Sequence, residues 1–394
     1  WGATERVSVD SSGNQGNGHS LYNGYIEAPA ISADGRCVAF RSNASNLAAG
    51  DNFTSSILVH DRLTGQTALA SVNSAGENAN STATNCAISA DGRYVAFDSW
   101  GSNLAAGDTN GINDVFVHDR QTGQTTRVSV SSAGGQGDGM STYPSLSADG
   151  RFVVFSSQAT NLVPNDTNGK QDVFVHDRQS GQTSRVSVDS AGNQGNDNST
   201  LGAFSHCAIS GDGRFIAFPS YATNLVPAAW PGWKLLLHDR QTGQTTCESV
   251  RADGTFGEGW DPALSLDGRF LAFTSNSRLT PADQFSLLDI YVRDRQLGTT
   301  TLVSPNNGPN VNNFWISSHS SISGDGRYVA FWSWNRVAPS PDPGVYHVFA
   351  HDRQTGQRVK VDVDNAGEPG NAESNRPALS ADGRFVSYGS PATN

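Results

Sequence analysis

Short apolar runs, some alternating with polar residues and some continuous, are separated along the whole chain by clusters of Gly, Asp, Asn and Ser. One stretch shows what this pattern predicts. Pro144-Ser145-Leu146-Ser147 reads as a short strand, and Ala148-Asp149-Gly150 is a tight-hairpin signal between apolar runs. Arg151 to Ser156 makes a second strand. After Gln158 to Gln171, Asp172 to Asp177 (Asp-Val-Phe-Val-His-Asp) makes a third. Arg178-Gln179-Ser180-Gly181-Gln182 turns the chain, and Thr183 to Val188 is a fourth strand. The unit is a four-stranded antiparallel meander. Phe152, Val153, Val154 and Phe155 put apolar side chains on both faces, so each sheet must be covered on both sides. Radial stacking of meanders achieves this and leaves few exposed edges, which predicts an all-β propeller.

The unit recurs. Asp-Gly-Arg appears seven times, with its Asp at 34, 91, 149, 212, 267, 325 and 382, at intervals of 57, 58, 63, 55, 58 and 57 residues. A period this regular predicts one closed array rather than several domains. The expected fold is a single seven-bladed β-propeller over 1–394, built of four-stranded antiparallel blades. The repeats lie near 28–73, 85–131, 143–189, 206–251, 261–304 and 319–363. The last blade, 376–394, is completed by residues 3–10, because Thr4 to Asp10 matches a fourth strand and so closes the ring. That copy breaks off at Ala392-Thr393-Asn394, so either the blade lacks a strand or the polypeptide extends further.

The runs Ser-Ala-Asp-Gly-Arg-(Tyr/Phe)-Val-Ala-Phe-x-Ser and Asp-Val-Phe-Val-His-Asp-Arg-Gln-Thr-Gly-Gln-Thr resemble the TolB-type, WD-like propeller repeat of bacterial proteins over essentially the whole chain. The resemblance implies the fold. It does not choose a function, since similar propellers serve as periplasmic scaffolds, lectins, protease accessory domains and polysaccharide lyases.

Composition narrows the partners. With 26 basic and 37 acidic residues, the net charge of −11 opposes nucleic acid and anionic membranes. No apolar run approaches the roughly 20 residues that span a bilayer. A start at Trp1, one internal Met (Met140), few Lys and many Asn, Ser and Thr suit a mature, secreted or periplasmic protein, expected as a monomer. Cys37, Cys86, Cys207 and Cys247 have no zinc spacing and read as buried core thiols, with a Cys37–Cys86 disulfide as the other expectation.

Strand alternation puts the invariant turns at one end of the ring and the long, divergent loops at the other, and binding is expected on the divergent upper face. Three residues before the Ile or Leu of each first strand stand Ala28, Asn85, Tyr143, His206, Asp261, His319 and Arg376, which should ring the channel mouth. Trp260 precedes Asp261, and the second strands end on Trp332 and Trp334 among others. Two His and an Asp have the chemistry for a metal or for acid–base work, while a wet strand end also tolerates any polar residue. Trp230 and Trp233 share one unusual loop and suit sugar stacking. Asp108, Asn110 and Asp114, and likewise Asp166, Asn168 and Asp172, carry Asp-x-Asn-Gly-x-x-Asp, which resembles a calcium loop and also an Asx turn. The recurring His60, His118, His176, His238 and His351 lie on five separate blades and read as structural. The chain is expected to be a non-catalytic, lectin-like binding module for a glycan or protein. The alternatives are a metal-assisted polysaccharide lyase or hydrolase at the channel mouth, and a scaffold domain of a longer protein.

Overall fold

A computed structural model describes residues 2–20, 28–51, 55–200, 206–227, 230–304, 315–335 and 345–393. Six sheets each contain four antiparallel strands in sequence order, drawn from residues 30–69, 83–127, 141–185, 208–247, 260–302 and 315–360, here blades 1 to 6. In blade 3, Ser141–Leu146 pairs with Phe152–Ser157, which pairs with Asp172–Asp177, which pairs with Gln182–Arg185. The first strands touch one another in order around the centre, and the first strand of the last repeat touches that of blade 1, so the ring is closed.

The sheets are sandwiched as their two apolar faces require. One core joins Ala39, Ile57 and Val59 of blade 1 to Val95, Phe97 and Phe116 of blade 2, and another joins Val154 and Val175 of blade 3 to Ile216, Phe218 and Leu236 of blade 4. Phe155 stacks on Phe174 at 6.0 Å within blade 3, and Phe97 on Phe116 at 5.8 Å within blade 2. The four cysteines are free thiols, so no Cys37–Cys86 bridge forms.

The expectation of seven four-stranded blades is corrected to six. The seventh Asp-Gly-Arg copy yields a two-stranded sheet, Asn375–Leu379 with Val386–Gly389, and residues 3–8 do not pair into it as a strand. The reason is geometric. A fourth strand hydrogen-bonds to a third, and among the described residues none occupies the third position of this sheet.

Each repeated Asp-Gly-Arg is a turn built to meet its neighbour. Ser210 donates to Asp212 (2.6 Å), Asp212 accepts the Arg214 N–H (2.9 Å), and Arg214 grips Asp239 of the third strand through Nε and Nη2 (2.8 and 2.6 Å). The glycine is required twice over. Gly213 has φ +74°, and a Cβ there would lie 2.2 Å from the Phe152 ring of the preceding blade. Four of the five recurring strand-three histidines bond within their blade: Nδ1 of His60, His118, His176 and His238 bonds to the Thr hydroxyl of the fourth strand at 2.8, 2.9, 2.8 and 3.0 Å, whereas Nδ1 of His351 is buried without a hydrogen-bond partner.

Gly213→Ala and Gly243→Ala separate these two demands, because Gly243 has the same φ of +74° with open space around it. Urea unfolding should show a loss of about 1–2 kcal/mol for Gly243→Ala, the left-handed cost alone, and about 1–3 kcal/mol more for Gly213→Ala from the clash. Equal losses would mean that the turn's contact with the adjacent blade contributes nothing.

Candidate functional site

At the upper end of the inner strands the hairpin register shifts: between Ala83 and Cys86, Trp260 and Ala263, Ser318 and Ser321, Asn375 and Ala378, and, in blade 3, opposite Val154 and Ser156. An extra residue at such a bulge re-aims a side chain. Tyr143, Asp261, His319 and Arg376 fall there, with left-handed φ of 55°, 51°, 49° and 48°. In the longest interval between Asp-Gly-Arg turns, the 63 residues from Asp149 to Asp212, Thr200 takes this conformation (φ 60°), and His206 arrives later along the chain.

The expected mouth residues converge. One ligand atom each from His206, Asp261 and His319 lies within 4.8 Å of the others. Arg376 Nη1 is 3.4 Å from His206 Nε2, and Tyr143 packs edge-on to the His206 ring at 5.3 Å. Trp332 donates its indole N–H to His319 Nδ1 at 2.6 Å, and its ring lies 4.2 Å from that of Tyr346. Asp261, His319, Trp332 and Arg376 are buried, whereas His206 keeps part of its surface. The collar is therefore a polar cluster deep in the mouth.

The hydrogen bond from Trp332 decides what His319 can do. Indole N–H only donates, so His319 Nδ1 accepts, and the neutral ring carries its hydrogen on Nε2. That nitrogen lies 3.6 Å from Asp261 Oδ2. A metal requires a lone pair there, and the guanidinium of Arg376 beside His206 repels a cation. With the Trp332 N–H on one ring and Arg376 beside the other, the three residues fit a metal poorly, and both carboxylate oxygens of Asp261 are buried without a hydrogen-bond partner.

Burial, and then the charge of Arg376, hold the His206 pKa down at about 3. The same two causes, followed by His206, hold His319 well below its ordinary value. Burial pushes Asp261 up to about 8, against the pull of Arg376. Near neutral pH both rings are neutral and Asp261 keeps its proton, so the Asp261–His319 contact is not a salt bridge.

Not every expected residue joins the collar. Trp233 packs edge-on to Tyr221 at 4.6 Å, and Trp230 lies 6.0 Å beneath the Arg251 guanidinium in the same loop region. Trp334 lies 6.5 Å from Tyr346, extending the Trp332 cluster outward. Trp260 is half-buried opposite Thr274. In the two loops expected to ligate calcium, an arginine reaches both carboxylates: Arg127 lies 3.5 Å from Asp108 and 3.4 Å from Asp114, and Arg185 lies 3.1 Å from both Asp166 and Asp172. Asn110 and Asn168 donate to Asp114 and Asp172 at 3.2 and 2.9 Å. Those carboxylates already have a cation.

Two further residues contribute: Asp98, one of the second-strand exits expected at the mouth, and Tyr346, which lies outside the set chosen from sequence. Buried Asp98 accepts from Asn85 Nδ2 (2.8 Å) and from the Tyr143 N–H (2.9 Å), tying two mouth positions together. Tyr346 sits between Trp332 and Trp334. The signal for Asp98 was its charge in a strand whose equivalents are Arg41, Ser156 and Trp332. Tyr346 had no sequence signal, because only pairing places it opposite Trp334.

No family model and no curated protein matches the chain. Solved structures do. The chain is similar to a GH74 xyloglucanase from Xanthomonas campestris (9% identity, TM-score 0.54), over 95% of this chain and 52% of that one. It is also similar to TolB from Acinetobacter baumannii (15%, TM-score 0.47, 88% and 67%) and to a protein assigned as TolB from Agrobacterium tumefaciens (16%, TM-score 0.45, 78% and 90%). The likeness is one of fold: this is a β-propeller. Among the described residues no helix is long and apolar enough to cross a membrane.

Two outcomes check this geometry. Imidazole NMR signals of His206 should not titrate between pH 8 and 5. Because the unfolded ring protonates near 6.5 and the folded one only near 3, the contribution of His206 to stability is lost as pH falls below about 6.5. For the arginine-filled loops, 5 mM calcium against EGTA should leave the melting temperature unchanged within about 1 °C, whereas a calcium site would raise it by mass action.

Proposed function

We propose that the chain is an exported, non-catalytic binding module that holds a glycan on the upper face of the propeller. The observation that carries this reading is a division of labour at that end. Most polar side chains of the collar are buried, while aromatic rings at the second-strand exits keep exposed surface. Tyr221 is 39% exposed and pairs with Trp233, and half-buried Trp334 adjoins Tyr346. Pyranose rings bind such faces through apolar contact, and a rigid rim with few mobile groups lowers the entropy lost on binding. The acidic balance of the chain favours a neutral sugar over a polyanion.

The TM-score of 0.54 to a xyloglucanase supports only the scaffold, since one fold hosts many activities. A second reading, an enzyme acting at the mouth, is favoured by one group. Asp261 keeps a proton at neutral pH and has the pKa of a general acid. His206 and His319 are poor bases beside it, since both rings resist protonation.

A glycan array followed by titration calorimetry tests the choice. Trp233→Ala and Trp334→Ala should each weaken binding by roughly thirtyfold, about 2 kcal/mol, as loss of a stacking Trp does at other interfaces. Asp261→Asn should leave affinity within about threefold and reveal no lost turnover. A blank array would overturn the glycan reading, and turnover abolished by Asp261→Asn would establish the enzyme instead.

A further inference from the structure

Blade 4 departs from the other blades at one buried position, and the departure shapes its upper loop. The sixth residue of strand two is a serine in all six blades. Opposite it, strand three carries Ser56 in blade 1, Asp114, Asp172 and Asp289 in blades 2, 3 and 5, and His347 in blade 6. In blade 4 the residue is Lys234, opposite Ser220. The fourth-strand arginine that meets the Asp in blades 2 and 3 is also gone. Cys247 stands there, opposite Leu236, as Arg127 stands opposite Phe116 and Arg185 opposite Phe174. An acid–base pair has thus been exchanged for a single cation.

Burying an ammonium is costly unless its N–H groups find acceptors. Lys234 is fully buried and finds them in its own loop: Nζ donates to the Trp230 carbonyl at 2.7 Å and to the Gly232 carbonyl at 3.1 Å. A neighbouring serine adjusts to the change. Ser129, Ser187 and Ser304 donate to the Asp of their own blades at 2.5, 2.6 and 2.5 Å. Ser249 faces a lysine, which accepts nothing, and donates instead to the Gly257 carbonyl at 2.8 Å. The loop is also closed against its own backbone. A Cβ on Gly232 would lie 2.4 Å from the Trp230 ring, so that ring packs on bare main chain. Trp233 precedes Lys234 directly, its carbonyl accepts from Gly259 N–H at 3.1 Å, and its ring meets Tyr221 at 4.6 Å.

We infer that Lys234 is the positioning residue of an aromatic arch on blade 4, its ammonium holding the two carbonyls that fix where Trp230 and Trp233 stand. This rests on the reading of these rings as a sugar surface and adds what sets their geometry. Because it is fully buried, the ammonium acts through the loop and not on a ligand. In blades 2 and 3 the same place, filled by an Arg–Asp pair, pins loops that carry no tryptophan. Rings fixed before a sugar arrives lose little freedom when it packs on them, and in this way a remote lysine contributes to affinity.

The full chain labelled with 5-fluorotryptophan gives a fluorine NMR line for each of its 8 tryptophans, and Trp230→Phe and Trp233→Phe assign two of them. Lys234→Met keeps the apolar stem and removes the donors. It should shift or broaden the Trp230 and Trp233 lines and leave the other lines in place. Arg185→Met removes the corresponding pin in blade 3 and should leave both lines unmoved, which separates positioning from a general loss of stability. Gly232→Ala should move the Trp230 line from the other side of the ring, and it tests the arch even if Lys234→Met does not fold. Maltoheptaose, cellohexaose and mannohexaose at about 10 mM are the sugar probes. At least one should move both lines in the native protein and bind Lys234→Met at least tenfold more weakly. Lines left unchanged by Lys234→Met, or a Trp230 line left unchanged by Gly232→Ala, would overturn the positioning role. Lines that Lys234→Met moves and no sugar moves would overturn the sugar reading beneath it. Equal affinity of the native protein and Lys234→Met for a sugar that binds would show that the arch does not govern binding.

Discussion

A ring of backbone hydrogen bonds at the lower end ties the repeats together. Ala33 N–H donates to Ala90 O, Ala90 to Ala148, Ala148 to Gly211, Gly211 to Leu266, Leu266 to Gly324, Gly324 to Ala381, and Ala381 back to Ala33, all between 2.8 and 3.0 Å. Each link sits at an Asp-Gly-Arg turn. Breaking one link loses a backbone hydrogen bond and opens the seam between two neighbouring turns. The circle closes only if every repeat presents the same turn at the same height, which gives the near-constant spacing of the motif a physical cause. Asp shapes the turn, Gly admits the neighbour's aromatic ring, and Arg anchors the third strand.

With one end so constrained, variation has room only at the other. There the same structural position carries Tyr143, Asp261, His319 and Arg376, each held in left-handed backbone by a bulge. Such strain persists only where the surroundings impose it, and it brings side chains from four sheets to one mouth. What the cluster can do is then set by burial. Low polarity around His206 and His319 keeps the rings neutral and Asp261 protonated, and the indole of Trp332 removes the lone pair that a metal would use. Similar residues in an open cleft would have more chemistry available to them.

Closure of the ring and completion of the last sheet are separate events. The inner strand of the seventh repeat joins the backbone circle through Ala381, so the ring is intact without a complete seventh sheet. Farther out, no third strand pairs with Val386–Gly389 among the described residues.

The sequence by itself determined the all-β class, the radial stacking, the structural role of the repeated histidines and the offset at which the mouth residues lie. These follow from local rules: apolar runs on both faces, Asp-Gly turns, and identical residues at identical spacing, which cannot converge on one site. Only the tertiary structure decided the rest. Whether the seventh copy makes a four-stranded blade depends on a third strand bridging residues far apart in the chain, and the count of four-stranded blades falls to six. The two acidic loops carry a calcium-like pattern along the chain, and the fold brings Arg127 and Arg185, from a different strand, to both carboxylates. His206, Asp261 and His319 come together as a metal set could, and the fold adds the Trp332 N–H on one ring and Arg376 beside another. In each case the deciding group comes from outside the motif, and pattern along a chain carries no information about which distant charge or hydrogen-bond donor the fold will place beside it.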